Sequence, residues 1–449
     1  MLACAINACA QIDIGSRREL FVDRFLIAEM EHVSLRLGCL QPAPPSPAPA
    51  LSGHYATVMK DGDLFRQYCR HDEKGEEGYE PVRRYLLEKT LYAESADGVR
   101  WSAPKVVLSD APPASHNFSP FIDTNPNCPP SQRYKAFGGH CRLDGKYLRK
   151  KFGDELADLN QQLPGDLAAF VSKDGVQWRV LKQDAVTLPK KWHHGFDSQN
   201  VAFWSSAEGQ YVCYFRFSKD RRFRAAARTT SKDFIHWSEP VEMRGRWKEE
   251  HWYTTGTHPY FRAPHIYLAP ATIFLDNEKS NTRVILMSSR AGANGFDRTF
   301  GQQSFLNQSA SGNRANFLAW SNGAQTGDRE LSFYNLGQRH TLRLDGFGSV
   351  SAGTKDGTLI TKPLRFAGKV LELNFVTRPN GQLRVEILNE DDRPIDGYRL
   401  DECAVLKGDQ IEQIVRWNSG DDVSPLAGKN VRLKFVLNNT DLFALRFPQ

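Results

Sequence analysis

Four acidic residues stand at positions that suit acid–base chemistry. Asp197 precedes the apolar run VAFW within the segment HHGFDSQN, and Glu250 lies in KEEHWYTTGTHPYFRAPH. Asp123 lies in FIDTNP and Asp297 in SSRAGANGFDRTF. Hydrolysis of a glycosidic bond needs one carboxyl group that protonates the leaving oxygen and a second that attacks the anomeric carbon or activates water. We therefore predict Asp197 as nucleophile or base and Glu250 as acid, with Asp123 or Asp297 as a third carboxylate.

Each of these four residues also has a purely structural interpretation. Asp197 and Asp123 both suit turns, because an Asp side chain readily accepts hydrogen bonds from the backbone two residues on. Glu250 fits an exposed loop of mixed charge, and Asp297 fits an ion pair with the neighbouring Arg298. The sequence leaves these alternatives open.

Polar and aromatic residues near the four carboxylates in sequence are predicted to hold a sugar. Aromatic rings suit stacking on a sugar face, and amides, imidazoles and guanidinium groups bind hydroxyls. The predicted substrate-binding residues are His116, Asn117, Gln199, Asn200, His251, Tyr253, Arg262 and Arg290. The arginines and the net charge of +6 favour an anionic carbohydrate, either sulfated or uronic.

A repeated phrase indicates the elements that position these residues. SADGVRW at 95–101, SKDGVQW at 172–178 and SKDFIHW at 231–237 share a Ser, an Asp two places on and a Trp four further, and a degraded echo begins at Ser289. Strand, turn and strand patterns separate the copies, as in NVAFWSSAEGQYVCYFRF. A repeat of this size built from antiparallel strands predicts β-propeller blades, with the phrase as an outer turn that resembles a sialidase-type Asp box.

The strand pairs predict five blades. We expect them to begin near Tyr55, Ser119, Val201, His265 and Val284. Because the innermost strand of each blade runs along the central axis, polar residues just before it project into a funnel. This placement makes the segment before VAFW the first candidate for a site.

The predicted fold class is all-β, a five-bladed propeller followed by a C-terminal β-sandwich. Residues 51–338 form the propeller, and residues 1–50 are an N-terminal segment that packs on it. Residues 339–449 alternate apolar and polar positions in runs such as LELNFVT and VRLKFVLN, which is typical of an antiparallel sandwich.

Composition limits the possible classes of protein. Among the 449 residues, 40% are hydrophobic and 24% charged, which are values of a globular chain. No 18-residue apolar run predicts a transmembrane helix, and the mild charge does not favour a nucleic-acid partner. The basic stretch at 215–224, FRFSKDRRFR, indicates a solvated strand end or loop, with a contact to an acidic glycan or phosphate as the alternative.

Cysteine and histidine spacing predicts no cofactor and no metal site. The eight cysteines contain no CxxC pair and no zinc-like arrangement with His, so that only a structural calcium ion stays open. The start MLACAINACA lacks the charged region of a signal peptide. The compartment is therefore open, with a secreted or periplasmic location slightly favoured.

Several strings resemble known carbohydrate enzymes. The predicted propeller with a β-sandwich resembles glycoside hydrolase family 32, and the propeller alone resembles family 43. ELFVDRFLI, FDSQNVAFW, PYFRAPHIYLAP, DGFGSVSAG and VRLKFVLNNTDLFALRF resemble more closely a group of family-32-like proteins that is abundant in planctomycetes. This resemblance covers nearly the whole chain and implies hydrolysis of a poly- or oligosaccharide in the funnel.

The sequence departs from family 32 at its catalytic motifs. The Asn-Asp-Pro-Asn-Gly string before blade one is absent, since residues 52–55 read SGHY, and the Arg-Asp-Pro motif is missing. The Glu402-Cys403 pair lies in the predicted sandwich and matches the family's Glu-Cys motif by accident. No catalytic residue transfers by motif, and fructan as the substrate is in doubt. Only topology transfers, because Asp197 precedes an inner strand as the family's acidic residues do.

Two further hypotheses stay open beside the hydrolase. Propellers often bind glycans without reacting, so the chain fits a non-catalytic glycan-binding protein. A propeller lyase would need Tyr or His as base and would release unsaturated products that absorb in the ultraviolet.

Overall fold

The computed structural model describes residues 11–71, 88–109, 116–140, 145–154, 157–158, 166–220, 222–275, 282–306 and 318–449. These residues are predominantly in β-strands, which confirms the predicted all-β class. The chain divides into two compact units. One unit comprises Cys39–Leu342, and the other combines Met1–Gly38 with Arg343–Gln449.

The first unit is the predicted five-bladed propeller. Each of its first three blades is a four-stranded antiparallel sheet in chain order. The strands of blade 1 are His54–Asp61, Leu64–His71, Lys89–Ser95 and Lys105–Leu108. Those of blade 2 are Ser119–Ile122, Tyr134–His140, Asp166–Ser172 and Arg179–Val186. Those of blade 3 are Val201–Ser205, Gln210–Ser218, Arg224–Ser231 and Val241–Glu242.

Blade 4 has a divided inner edge. Two short strands, Glu250–Thr254 and His258–Tyr260, pair with different parts of the long strand Ala263–Leu275, whose other edge pairs with Arg283–Arg290. The blade starts predicted near His265 and Val284 are therefore wrong. Both apolar runs belong to this one blade, because they pair with each other as an antiparallel hairpin.

Blade 5 closes the ring with a strand from the beginning of the propeller. Its strands in chain order are Leu318–Gly327, Glu330–Asn335 and Gln338–Arg343. The fourth strand is Gln41–Pro42, which pairs with His340 and Thr341. The first and last strands of the propeller are thus hydrogen-bonded to each other through the backbone.

The repeated phrase forms the same turn in blades 1, 2 and 3. The Asp97 carboxylate accepts hydrogen bonds from the backbone N–H groups of Val99 and Arg100, at 2.8 Å each. The Ser95 hydroxyl accepts from the N–H of Gly98 at 2.8 Å and donates to Asp97. Asp174 and Asp233 make the corresponding contacts in the other copies. Each turn follows the third strand of its blade, so the phrase is an outer turn, as predicted.

Aromatic and small apolar residues fill the space between the blades. Between blades 2 and 3 the rings of Phe137 and Phe234 stack with their centroids 4.9 Å apart, and Phe121 contacts Phe234 edge-on. Burying one such ring contributes about 1.5–3 kcal/mol. This packing fixes the inner strands, and with them the loops that precede the strands.

The second unit contains strands from both ends of the chain. Its N-terminal strands are Ile12–Gly15, Glu19–Leu20, Ile27–Glu31 and Val33–Leu37. The others are Gly348–Ala352, Gly357–Thr361, Leu364–Phe366, Glu372–Leu388, Asp409–Ile414 and Arg432–Arg446. Eight of these form one sheet, and Ile12–Gly15 pairs with Leu364–Phe366. Residues 12–37, predicted to pack on the propeller, are thus strands of this unit. The expectation of a sandwich topology stays a prediction.

A buried ion cluster links the N-terminal and C-terminal strands of the second unit. The Arg18 guanidinium lies 3.3 Å from Asp345, 2.6 Å from Glu372 and 3.2 Å from Glu412. Arg446 also binds Glu372, at 2.8 Å. Because Arg18 is almost fully buried, its charge depends on these carboxylates for compensation.

Helical structure is minor in the described part of the chain. The α-helix Gly145–Phe152 lies between the second and third strands of blade 2, and short 3₁₀ turns occur at Pro130–Gln132 and Ser424–Leu426. Within the described ranges, no helix has the length and apolar character needed to span a membrane.

Candidate functional site

A braced loop presents Asp197 just before the inner strand of blade 3. His194 and Phe196 adopt left-handed backbone conformations, with φ of 48° and 67°. The buried Asn200 side-chain amide donates to the carbonyl oxygens of Phe196 and Ser198, both at 3.0 Å. Asn200 therefore holds the shape of the loop. The Asp197 side chain projects from this loop and is 46% exposed.

Two basic groups hold the Asp197 carboxylate. Nη2 of Arg216 lies 2.9 Å from Oδ2, and Nε2 of His116 lies 3.4 Å from Oδ1. Arg216 is 5% exposed, and burial works to lower its pKa. The charge of Asp197 and the nearby Tyr55 and Tyr253 outweigh burial, so the pKa of Arg216 is raised. The arrangement stabilises the ionised form of Asp197.

His116 lies between two carboxylates. Its Nδ1 is 2.5 Å from Oε2 of the buried Glu88, and its Nε2 is 2.9 Å from the amide nitrogen of Asn117. Arg70 donates to the amide oxygen of Asn117 at 2.9 Å and so fixes the orientation of that amide. In the neutral ring, Nδ1–H donates to Glu88 and Nε2 accepts from Asn117. In the protonated ring, Nε2–H faces Asp197.

The charges around His116 favour its protonated form. Burial works to lower its pKa, but the charge of Glu88 and hydrogen bonds to Asp197 and Glu88 outweigh burial and raise that pKa. Asp197 thus lies against an imidazole that readily carries a proton.

Two tyrosines lie beside this charged group. Tyr55 of blade 1 and Tyr253 of blade 4 are buried in one cluster with Phe274. The guanidinium of Arg70 lies 5.1 Å from the Tyr55 ring centroid, and that of Arg216 lies 4.7 Å from the Tyr253 ring centroid. Burial and the neighbouring Tyr253 hydroxyl raise the pKa of Tyr55. The phenol of Tyr55 therefore stays neutral.

A polar pocket of about 230 Å³ opens over Asp197. We call it the Asp197 pocket, and its lining residues are His194, Asp197, Arg216, Ser218, Arg222 and Arg224. Its described lining therefore includes three guanidinium groups and one carboxylate. Among the described residues, Asp197 is the single carboxylate in this lining.

The predicted sugar-binding residues His251 and Gln199 are buried and do not line the Asp197 pocket. The His251 ring stacks on Phe274 with centroids 4.1 Å apart, and its Nδ1 lies 3.4 Å from Nη1 of Arg224. Gln199 donates to Ala56 O at 3.1 Å and to Thr57 Oγ1 at 3.0 Å. Because blades 1 and 3 are not neighbours in the ring, Gln199 crosses the central axis.

The structure places Glu250 outside the Asp197 pocket. Neighbouring residues of a strand point to opposite faces, so Glu250 faces away from His251. Its fully buried carboxylate pairs with Arg298 at 2.7 and 2.8 Å and accepts from Gln302 at 2.8 Å. Burial works to raise its pKa, but Arg298 and Gln302 outweigh burial and lower that pKa. A general acid needs the opposite shift.

Asp123 lies at the other end of the inner strand of blade 2. That strand, Ser119–Ile122, spans roughly 13 Å and separates Asp123 from His116. The Asp123 carboxylate is buried, pairs with Lys135 and accepts from the Tyr211 hydroxyl at 2.7 Å. It is therefore part of a buried polar cluster at the far end of the axis.

Three other predicted residues lie away from Asp197. Arg262 lies in the turn between the strands His258–Tyr260 and Ala263–Leu275, beside a far pocket of about 190 Å³ that Phe261 and Pro264 help to line. Arg290 is the last residue of the blade 4 strand Arg283–Arg290. It pairs with Ile266, near the same end of the blade as Arg262. The exposed Asp297 accepts from the backbone N–H of Thr299 at 2.8 Å, which is a turn contact.

The structure thus brings together Asp197, His116, Asn117, Gln199, His251 and Tyr253. It does not bring Glu250, Asp123, Asp297, Arg262 or Arg290 to them. Sequence reasoning missed Tyr55, Arg70 and Glu88. Arg216, Arg222 and Arg224 lie in the basic stretch 215–224, which was interpreted as a solvated strand end or loop with a contact to an acidic glycan or phosphate as the alternative. A signal for Arg216 does exist, because it is a charged residue within the otherwise apolar strand Gln210–Ser218.

Metal ligation is not evident at this site. Within the described ranges, no three His, Cys, Asp or Glu side chains are grouped so that they could hold a metal ion.

Comparisons with known proteins concern the fold. No family model matches the chain, and no curated protein matches it. Solved structures with similar architecture include a family 43 arabinoxylan arabinofuranohydrolase from Bacillus subtilis, with a TM-score of 0.42, 10% identity, and coverage of 90% of this chain and 96% of that one. A fructofuranosidase from Schwanniomyces occidentalis has a TM-score of 0.39, 10% identity, and coverage of 98% and 99%. A protein of unknown function from Dyadobacter fermentans has a TM-score of 0.41, 11% identity, and coverage of 93% and 99%.

These identities and TM-scores assign no role to any residue of this chain. The roles of individual residues depend on the geometry of this chain.

Proposed function

We propose that this protein is a glycosidase that binds a carbohydrate in the Asp197 pocket and hydrolyses a glycosidic bond there. The observation that carries the proposal is the Asp197 carboxylate itself. It is accessible, it is held by Arg216 and His116, and it lies at one end of the axis of a five-bladed propeller. Such a group can act on a sugar that enters the pocket.

Asp197 suits the role of nucleophile or general base. The Arg216 guanidinium at 2.9 Å stabilises its negative charge, and a base or nucleophile must be ionised to act. We assign His116 a positioning role, because it is fully buried and reaches a substrate only through Asp197. We do not assign the acid role to Glu250, since its carboxylate is committed to Arg298.

Replacement of Asp197 tests the proposal. Asp197→Asn keeps the shape of the side chain and removes the negative charge, so release of reducing sugar should fall by about 10²–10⁴-fold. Binding of the same glycan, measured by calorimetry, should persist. Asp297→Asn is the matched control, because Asp297 is an exposed turn residue outside the pocket. Unchanged turnover by Asp197→Asn would contradict the assignment.

A non-catalytic glycan-binding protein is the second candidate. The observation in its favour is that one carboxylate, rather than a pair, lines the pocket among the described residues. In that case the wild-type protein binds a glycan and releases no sugar from it. The same panel of glycans, assayed for both binding and product, separates the two candidates.

A further inference from the structure

Positive charge is concentrated in the Asp197 pocket. Arg216 pairs with Asp197 at 2.9 Å, so these two charges offset each other. Arg222 and Arg224 also line the pocket. Arg222 lies in the connection between the second and third strands of blade 3, and Arg224 is the first residue of the third strand. The lining therefore carries two guanidinium charges beyond the pair at Asp197.

Arg224 is held in place by its surroundings. Its guanidinium lies 5.5 Å from the Tyr253 ring centroid and 5.2 Å from the Phe274 ring centroid, and it contacts the His251 imidazole. Aromatic faces attract guanidinium groups and leave the edge of the fork available for hydrogen bonds. A side chain that is already oriented loses little entropy when it binds a ligand.

Arg222 lies at the rim of the same pocket. Its side chain is exposed and its guanidinium lies 4.5 Å from the Phe223 ring centroid. The nearby Asp220 carboxylate accepts the backbone N–H groups of Arg222 and Phe223, at 3.0 and 3.1 Å. These hydrogen bonds from Phe223 and Arg222 lower the pKa of Asp220, because they stabilise its ionised carboxylate. Asp220 does not line the pocket.

We infer that the Asp197 pocket recognises an anionic group on the sugar, through Arg222 and Arg224 beside Asp197. The chemistry that fits is a carboxylate of a uronic acid or a sulfate ester, because planar guanidinium groups bind both with two parallel hydrogen bonds. The inference rests on the proposed function, since it names the substrate class for that same pocket.

Four carbohydrate probes test the inference by calorimetry at low salt. Oligogalacturonate is compared with its methyl ester, and a sulfated galactan oligosaccharide without uronate is compared with its desulfated form. The wild-type protein should bind one charged probe at least about tenfold more tightly than its neutral partner, as expected for charge-assisted hydrogen bonds. The preferred pair identifies the source of the anion.

Variants connect the preference to the arginines. Arg222→Gln should reduce the ratio of charged to neutral binding by about tenfold, and Arg224→Lys should reduce it less. Arg244→Gln is the matched control, because Arg244 is an exposed arginine of the same blade region that does not line the pocket. Equal melting temperatures for the variants show that they fold. Inorganic sulfate should also raise the melting temperature of the wild type more than that of Arg222→Gln.

The outcomes separate this inference from the proposed function. Equal binding of charged and neutral probes, no binding of any probe, or a preference that survives Arg222→Gln and Arg224→Lys overturns the inference. Selective binding of a charged probe without bond cleavage supports the inference and contradicts the glycosidase. Selective binding followed by an unsaturated product that absorbs in the ultraviolet also supports the inference, and it replaces hydrolysis by elimination.

Discussion

The Glu250–Arg298 pair provides a sharp test of whether Glu250 has a structural or a catalytic role. Glu250→Gln keeps the size of the side chain but removes its charge. The two oxygens of Glu250 accept from Arg298, Gln302 and Trp252. A glutamine at this position therefore places its own N–H group against the N–H donors that the carboxylate accepts from. It also leaves Arg298, which is 8% exposed, without this counter-ion. Breaking a buried pair in this way costs about 3–5 kcal/mol.

This cost is large against the stability of a folded domain. Total free energies of unfolding are about 5–15 kcal/mol, and each 1.36 kcal/mol is a factor of ten. We expect the unfolding equilibrium of Glu250→Gln to shift by about 10²–10⁴-fold. Urea denaturation at pH 7, followed by tryptophan fluorescence, measures the shift. The control Glu249→Gln alters the exposed neighbour and should change stability by less than about 0.5 kcal/mol.

The pH dependence gives the same test a second readout. The pKa of Glu250 is lowered in the fold, so its stabilising effect is present above the unfolded pKa of about 4.3. The effect is lost as the pH falls through the folded value, so the wild type and Glu250→Gln should converge in acid. The reasoning is refuted if Glu250→Gln unfolds like the wild type while sugar release falls at least about 100-fold. That result would make Glu250 the catalytic acid.

Two further predictions concern buried charge. Arg18→Met should lower the free energy of unfolding by about 3–5 kcal/mol, because Asp345 and Glu372 lose the buried guanidinium that they share and Glu372 keeps only Arg446 as a cation. Glu412→Gln should cost less than about 1 kcal/mol, because the Glu412 side chain is 47% exposed. Denaturation curves check both values. Burial lowers the pKa of His258 to about 3, because the fold disfavours the charged imidazole. The contribution of His258 to the free energy of unfolding is therefore fully present above the unfolded pKa of about 6.5 and is lost as the pH drops towards 3. The loss should reach about 2 kcal/mol at pH 5, and His258→Phe should abolish it in melting curves measured against pH.

The sequence predicted the fold where local patterns decide the pairing. The Ser-x-Asp turns follow the third strands of blades 1 to 3, and the first three inner strands begin where strand patterns indicated. Blades 4 and 5 were misplaced because the strand Ala263–Leu275 pairs with two separate segments on one edge. Periodicity shows that a strand exists but does not show its partner. Periodicity also did not reveal the strand partners of residues 12–37, since these partners lie more than 300 residues away.

The candidate site was predictable only in part. Asp197 was found because polar residues cluster directly before an apolar strand. The sequence could not tell which of Glu250 and His251 faces the pocket, because a shift of one residue exchanges the two faces of a strand. The pairing of Arg216 with Asp197 was not predicted, because strand patterns do not show which side chain of blade 3 reaches the loop before it. Glu88 was missed because its partner His116 precedes a different blade, and such a partner becomes visible only when the blades are assembled.

The bridge that Gln199 makes from blade 3 to blade 1 couples the candidate site to a distant part of the ring. The buried side-chain amide donates to Ala56 O and to Thr57 Oγ1 on the inner strand of blade 1. Gln199 follows Asp197 by two residues, so the position of the Asp197 loop depends on a blade that contributes no residue to the described lining of the pocket. Shortening this side chain would remove both hydrogen bonds and let the loop before blade 3 move independently of blade 1.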